Sequence, residues 1–185
     1  MQLLIISGSR NPEGQTARAA IALAEGAADA GCACETTYLP ALRIERCRQC
    51  ENDGWGKCRH GEGCVIEDDL AEMIEKMGAA DAVVFATPVY FGDLSESLRA
   101  LLDRVRRIAI HAGEGSCVRG KPAVGVCVAG GGGGGAPRCA EALEFALASA
   151  GFDVIDVIPA RRQNLAAKVA VLGQVGAWLA SRPTS

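Results

Sequence analysis

The chain has 185 residues, a formal net charge of -3, and hydrophobic side chains at 49% of its positions. This length suits one domain with a buried core, so we predict a single domain over residues 1–185. The weak negative charge gives no general attraction for nucleic acid and no polybasic membrane patch. Residues 1–6 contain no positive segment and no long apolar run, so we expect neither a signal peptide nor a membrane span, and a cytoplasmic location.

Short apolar runs alternate with longer periodic segments along the chain. The apolar runs predict strands at residues 2–6, 34–39, 82–86, 123–128 and 153–158. The periodic segments predict helices at residues 15–30, 68–77, 94–110 and 137–150, followed by a last helix that Asn164 caps and that runs to Leu179. Five strand–helix alternations predict a doubly wound, three-layer α/β/α fold with a five-stranded parallel sheet.

Four of the nine cysteines lie in one irregular segment, residues 41–66, which interrupts the alternation: Cys47, Cys50, Cys58 and Cys64. Without a secretion signal, cysteines are first interpreted as thiols or metal ligands. Four thiolates in a flexible segment can ligate an iron–sulfur cluster or a tetrahedral zinc ion, or they can remain free. We predict that the dispersed Cys32, Cys34 and Cys127 are buried in the core.

Open parallel sheets bind ligands beyond the carboxyl ends of their strands, which draws attention to the loops that follow the first, third and fourth strands. The first loop combines small residues, hydroxyl groups and an arginine just before a helix, which is the composition of a phosphate cradle. Its candidate residues are Ser7, Ser9, Arg10, Gly14, Gln15 and Thr16. A glycine-containing turn capped by Thr16 explains the same residues without a ligand.

The second and third loops predict a flat ligand. The second places two of the few aromatic residues at a strand end, where Pro88 fixes the turn. Its candidate residues are Thr87, Pro88, Val89, Tyr90, Phe91 and Gly92. The third is a run of six glycines, and any such run matches a dinucleotide fingerprint trivially. The next strand is also followed by no acidic residue that could bind a ribose. We interpret it as a mobile loop that lines the ligand, with Ala129, Gly130 and Gly131 as candidates.

Four segments together resemble the flavodoxin-like NAD(P)H-dependent FMN reductases, most nearly their iron–sulfur flavoprotein branch: residues 7–9, 14–16, 87–95 and 98–104. The resemblance implies a sheet of strand order 2-1-3-4-5 and FMN with its phosphate in the loop of residues 9–16. The flavin ring would lie against residues 88–92, with the glycine-rich loop on its other side. The resemblance also implies NAD(P)H as electron donor and a homodimer or homotetramer. We name no catalytic side chain, because hydride passes directly to the flavin.

The iron–sulfur flavoproteins also carry four cysteines in the matching segment, just before the stretch of residues 65–69. This resemblance implies a [4Fe–4S] cluster on Cys47, Cys50, Cys58 and Cys64. In the family the first three cysteines are spaced more tightly. The longer spacer here, residues 51–57, contains Trp55 and leaves zinc or free thiols as alternatives.

Three functions therefore remain open. The first is an NAD(P)H-dependent reductase with bound FMN that reduces a small acceptor such as free flavin or a quinone. The second is an iron–sulfur flavoprotein that carries electrons between protein partners. The third is a zinc-bearing flavin-binding protein without catalysis. Near the end of the third helix lie Arg104, Arg106 and Arg107, which could contact the phosphate of a nicotinamide cofactor. We favour a solvated helix terminus or an ion pair at a subunit contact.

Overall fold

A computed structural model describes residues 1–182. The strands are β1 (Gln2–Ser7), β2 (Ala33–Tyr38), β3 (Ala82–Pro88), β4 (Pro122–Ala129) and β5 (Asp153–Arg161). The helices are α1 (Gln15–Asp29), α2 (Leu70–Ala79), α3 (Glu96–Ala112), α4 (Ala136–Ala150) and α5 (Leu165–Ala180). The strands form one sheet in the order β2-β1-β3-β4-β5, and every neighbouring pair is parallel. The predicted α/β fold and strand order are confirmed.

Two apolar cores lie on the two faces of the sheet. Side chains alternate across a strand, so Leu3 and Ile5 face α1 and α5, whereas Leu4 and Ile6 face α2, α3 and α4. Aliphatic residues and alanine dominate both cores, which lets the helices pack closely on the strands. Within residues 1–182, no helix is both long enough and apolar enough to cross a membrane.

Two helices begin two residues later than the sequence predicts. In each, a polar side chain just before the helix accepts an amide hydrogen bond from its start. Helix α3 begins at Glu96, and Ser95 caps it by accepting a hydrogen bond from the Leu98 amide at 3.4 Å. Helix α2 begins two residues later than the pattern of residues 68–77 predicts. Asp68 lies before it, where one carboxylate oxygen accepts the Leu70 amide at 3.3 Å and both oxygens bind a distant arginine.

Asn164 is the N-cap residue of α5 as predicted, but its side chain does not bond to the amides of that helix. Its Oδ1 accepts a hydrogen bond from the Arg161 amide at 2.7 Å, and no side chain caps α5 within the described part of the chain. Strand β5 continues past residue 158 to Arg161, although Pro159 has no amide to donate. The sheet tolerates this proline because β5 is an edge strand and needs a partner on one side only. Cys32 and Cys127 are buried as predicted, whereas Cys34 is exposed, because it lies on the other edge strand, β2.

The parallel strands bring three loops to one edge of the sheet. The Gly8 amide, just after β1, donates to the Ala86 carbonyl of β3 at 2.8 Å. The Val89 amide, just after β3, donates to the Val128 carbonyl of β4 at 3.0 Å. These bonds continue the strand ladder into the loops, so the loop geometry is set by the sheet itself.

Candidate functional site

A cleft of about 420 Å³ lies between the three loops at the carboxyl edge of the sheet. This volume falls in the range of about 300–1,000 Å³ that is usual for small-molecule sites. Nine of the fifteen residues predicted from the sequence line it: Ser9, Gln15, Thr16, Pro88, Val89, Tyr90, Ala129, Gly130 and Gly131. The other six lie around it: Ser7, Arg10, Gly14, Thr87, Phe91 and Gly92.

The first loop folds back on itself before α1. Ser9 Oγ donates to the Asn11 carbonyl at 3.2 Å, and Asn11 Oδ1 accepts the Glu13 amide at 2.9 Å. Gly14 is the N-cap of α1, and no side chain among residues 1–182 bonds to the first amides of the helix. Thr16 lies inside the helix, so the alternative of a turn capped by Thr16 is wrong. Uncapped amides at a helix start are suited to an anion.

One wall of the cleft contains an unsatisfied acceptor. Gln15 Oε1 is buried and has no hydrogen-bond partner within residues 1–182. A buried acceptor without a donor costs about 1–3 kcal/mol, so such atoms are normally paired. Because Gln15 also lines the cleft, a ligand with an N–H or O–H group would satisfy it.

The second loop is a tight turn with an aromatic tip. Tyr90 and Asp93 exchange two backbone hydrogen bonds, each of 3.0 Å. Between them, Phe91 and Gly92 have φ values of 52° and 81°, which is the left-handed conformation of a hairpin turn. Tyr90 is half-exposed at the cleft wall, whereas Phe91 is fully exposed at the tip and does not line the cleft.

Three of the predicted polar residues shape or flank the cleft. Thr87 Oγ1 is buried, donates to the Pro88 carbonyl at 3.0 Å, and accepts the Ser95 amide at 3.0 Å. The buried Ser7 Oγ accepts the amide of Ser9 at 3.3 Å. Arg10 is exposed and lines a neighbouring cavity of about 250 Å³, which shares Tyr90 with the main cleft.

The glycine run closes the cleft by touching the second loop. Gly135 has a φ of 82°, and a Cβ on it would lie 2.8 Å from the Gly92 Cα. The two loops therefore approach this closely only because Gly135 lacks a side chain. Gln163, in the turn after β5, donates to the Gly132 carbonyl at 3.0 Å and so links that turn to the glycine run. The sequence did not predict this contact. No motif or periodicity marks this glutamine.

The structure also brings the four predicted cysteines to one place. Cys47, Cys50, Cys58 and Cys64 are each partly buried, and all line a cavity of about 20 Å³ against α3. Within residues 1–182, no three His, Cys, Asp or Glu side chains stand close enough together to hold a metal ion. Thiols are the donor type that an iron–sulfur cluster or zinc takes, but the present spacing of the four fits neither, so binding requires a rearrangement of the segment. This segment, residues 47–66, is called the cysteine segment below.

The Arg104 side chain of α3 binds residues on both sides of the cysteine segment. Its guanidinium pairs with the two Asp68 carboxylate oxygens at 2.6 and 3.0 Å, and donates to the Glu45 carbonyl at 3.0 Å. Both partners are desolvated: the side chains of Arg104 and Asp68 are 1% and 0% exposed. The prediction of a solvated helix end or a subunit contact is therefore wrong for this arginine, because a carboxylate from a distant loop receives it.

The ion pair changes the acidity of both groups. Burial alone would raise the pKa of Asp68, but hydrogen bonds from Arg104 and the Glu45 amide hold it below its usual value. Burial alone would lower the pKa of Arg104, but Asp68 and the Cys64 thiol beside it raise that pKa instead. Both groups therefore stay charged at neutral pH.

The spacer between Cys50 and Cys58 docks on α3 through its tryptophan. The Arg107 guanidinium lies 3.9 Å from the centroid of the Trp55 ring, and the His111 ring meets it edge-on at 4.7 Å. Arg107 also donates to the Gly54 carbonyl. Two non-glycine residues beside Cys50, Gln49 and Glu51, have positive φ values of 51° and 60°. Such conformations persist only where surrounding contacts hold them.

Comparison with known proteins identifies the family of the chain and agrees with its fold. The family model described as NADPH-dependent FMN reductase matches residues 1–155. The chain belongs to this family. The resemblance seen in the sequence is thereby confirmed, and iron–sulfur flavoproteins are among its relatives.

Two of these relatives show the extent of the similarity. An iron–sulfur flavoprotein of Methanosarcina thermophila is 38% identical over 105 residues, which are 56% of this chain and 52% of the relative. One of Methanocaldococcus jannaschii is 34% identical over 131 residues, 71% of this chain and 65% of the relative. This FMN reductase family member thus spans about half to two-thirds of the length of these relatives.

Solved structures of similar shape confirm the flavodoxin-like fold of this family member. The NAD(P)H:quinone oxidoreductase from Methanothermobacter marburgensis superimposes with a TM-score of 0.73 at 20% identity, covering 100% of this chain and 98% of that one. A flavone reductase gives a TM-score of 0.71 at 23% identity, covering 97% and 62%. At these identities the likeness shows the fold alone.

Proposed function

We propose that this protein is an FMN-dependent oxidoreductase that takes electrons from NAD(P)H and passes them to an acceptor such as free flavin or a quinone. The observation that carries the proposal is the cleft of about 420 Å³, which lies between the three loops of an FMN reductase family member. Its unpaired Gln15 oxygen and the uncapped start of α1 supply one acceptor and several donors.

Different residues of the cleft would bind the phosphate and the ring of FMN. Ser9, Thr16 and the first amides of α1 would bind the phosphate, with Arg10 adding charge at the mouth. Residues 88–90 would contact the ring on one side, and residues 129–134 would cover the other. Bound FMN supplies hydride acceptance and release of electrons one or two at a time. Backbone amides beside the polar ring edge would stabilise the negative charge that reduction creates.

Titration with FMN tests the proposal directly. We expect quenching of FMN fluorescence on binding, and bleaching of the flavin absorbance when NADH or NADPH is added without oxygen. A comparison of the two nicotinamides gives the donor preference, and light scattering tests the predicted homodimer or homotetramer. If the full chain binds no FMN, the proposal fails. If it binds FMN that neither nicotinamide reduces, the electron-carrier or the non-catalytic alternative replaces it.

A specific observation supports a second function, that of an iron–sulfur flavoprotein electron carrier. The four cysteines share one cavity, and the curated relatives are named iron–sulfur flavoproteins. Thiolates ligate both [4Fe–4S] clusters and zinc, so metal and sulfide analysis of anaerobically prepared protein decides between them. Iron with acid-labile sulfide and reduction by a ferredoxin would support the carrier, whereas zinc alone would refute it.

A further inference from the structure

The cavity of the four cysteines is lined by positive charge. Arg48, Lys57, Arg104 and Arg107 line it together with the cysteines, and none of its described lining residues is acidic. Arg48 is neutralised in part by an exposed ion pair with Glu45 at 2.7 Å. The buried Asp68 carboxylate balances the charge of Arg104, so Arg107, which forms no ion pair within residues 1–182, is the cation of α3 without a counter-charge beside the cavity.

Each of these two arginines has a buried donor, Nε–H, that is unused within residues 1–182. In Arg104 the two terminal nitrogens are occupied by Asp68 and by the Glu45 and Ile66 carbonyls. In Arg107 one terminal nitrogen donates to Gly54. In both side chains Nε is buried and has no partner among residues 1–182. A buried N–H without an acceptor costs about 1–3 kcal/mol, so two of them beside one cavity point to an acceptor that enters it.

The arrangement is specific to one face of α3. Residues three apart on a helix share a face, and Arg104, Arg107 and Ile108 all line the cysteine cavity. Arg106 has a different environment, because it is about one-third exposed and pairs with Asp103 at 3.0 Å. Arg106 therefore provides a matched control on the same helical turn.

We propose that Arg104 and Arg107 stabilise the reduced form of an iron–sulfur group held by Cys47, Cys50, Cys58 and Cys64, and so raise its reduction potential. This inference rests on the iron–sulfur binding proposed above. Reduction adds one electron to a group that is already anionic, and it transfers no atom. A buried positive charge and N–H donors to sulfur both favour the more negative state.

The test is a redox titration of the full chain after anaerobic reconstitution with iron and sulfide. Dithionite supplies the electrons, and electron paramagnetic resonance follows the reduced iron–sulfur group. Arg107 is the residue to change, because its substitution leaves the Arg104–Asp68 pair intact. In Arg107→Gln we expect the ratio of reduced to oxidised group at a given potential to fall about tenfold, which is about 59 mV for one electron.

Two further variants separate charge from hydrogen bonding. Arg107→Lys keeps the positive charge and loses Nε, so we expect a shift in the same direction that is smaller than in Arg107→Gln. In the control Arg106→Gln the ratio should stay within about twofold of the wild-type value, because this side chain is exposed and its charge is screened by solvent.

A purely structural role is tested by Trp55→Leu, which removes the stacking partner of Arg107 and keeps the arginine. At a given potential, we expect its ratio of reduced to oxidised group to stay within about twofold of the wild-type ratio. The inference fails if Trp55→Leu shifts the potential as far as Arg107→Gln, or if Arg107→Gln leaves it unchanged in protein of equal iron and sulfide content. Wild-type protein that takes up zinc or nothing would overturn this inference and the iron–sulfur function together.

Discussion

The flavin cleft and the cysteine segment are held in place by different means. The cleft lies at the ends of β1, β3 and β4, where backbone bonds such as Val89 to Val128 continue the sheet. The cysteine segment contains no strand and only one short 3-10 turn, Lys57–His60. It is fixed by side chains of α3, chiefly Arg104 and Arg107. The sheet therefore determines one site, and a few charged contacts determine the other.

This difference predicts unequal sensitivity to single substitutions. A loop that continues a strand shares the stability of the whole sheet, whereas a loop held by side chains opens when one of them is lost. A segment that binds a metal group must also be able to rearrange around it. The four cysteines line a cavity of only about 20 Å³, which has room for about one water molecule.

The largest expected effect is the loss of Arg104. Replacing it with methionine leaves the Asp68 carboxylate buried and unpaired, which we expect to lower the free energy of unfolding by about 3–5 kcal/mol. Urea denaturation measures this change. The double variant Arg104→Met with Asp68→Asn should recover most of the loss, because it removes both charges. An effect under about 1 kcal/mol, the usual size for a surface pair, would mean that the pair does not fasten the segment.

Acid should weaken the same ion pair. The folded-state pKa of Asp68 lies below its ordinary value of 3.8, so the pair contributes fully above that pH. Its contribution is lost as the pH falls through the lowered folded-state pKa. We therefore expect the unfolding free energy of the wild type to fall more steeply below about pH 4 than that of Asp68→Asn. Urea denaturation at several pH values checks this, and parallel curves would refute it.

A smaller effect is expected where the glycine run meets the second loop. Gly135→Ala forces a side chain into a left-handed position, 2.8 Å from the Gly92 Cα. We expect a loss of about 1–3 kcal/mol in unfolding free energy, together with weaker FMN binding. Gly132→Ala is the matched control for the unfolding free energy, because a Cβ there meets no atom within 4 Å and its φ is not left-handed. Equal losses of unfolding free energy in the two variants would show that the contact between the glycine run and the second loop does not stabilise the protein.

The smallest expected effect concerns Gln15. Gln15→Leu removes the buried acceptor that a ligand would satisfy, so FMN should bind about tenfold more weakly, or about 1.4 kcal/mol. The protein without FMN should be no less stable, because an unpaired polar atom has been removed from its interior. Fluorescence titration and urea denaturation measure the two effects separately. The control Glu25→Gln, on the exposed side of the same helix, should change neither FMN affinity nor stability. Unchanged FMN affinity in Gln15→Leu would exclude a contact between Gln15 and FMN.

The two regions also differ in how far the sequence predicted them. The three cleft loops could be located because parallel strands place their carboxyl ends at one edge, and nine predicted residues line the cleft. The role of Arg104 could not be found, since charged residues are usually exposed and its partner Asp68 is 36 positions away. Gln163 was missed for a similar reason, because its contact with Gly132 spans 31 positions.

Local patterns thus determined the strands, the helices, the strand order through a family resemblance, and the loops that form the cleft. These features depend on periodicity and on turn residues, which neighbouring positions encode. Only the tertiary structure decided that Asp68 pairs with Arg104, that Trp55 stacks on Arg107, and that four cysteines share one cavity. Such contacts join residues far apart in the chain, and their energy exists only after the fold has excluded water from them.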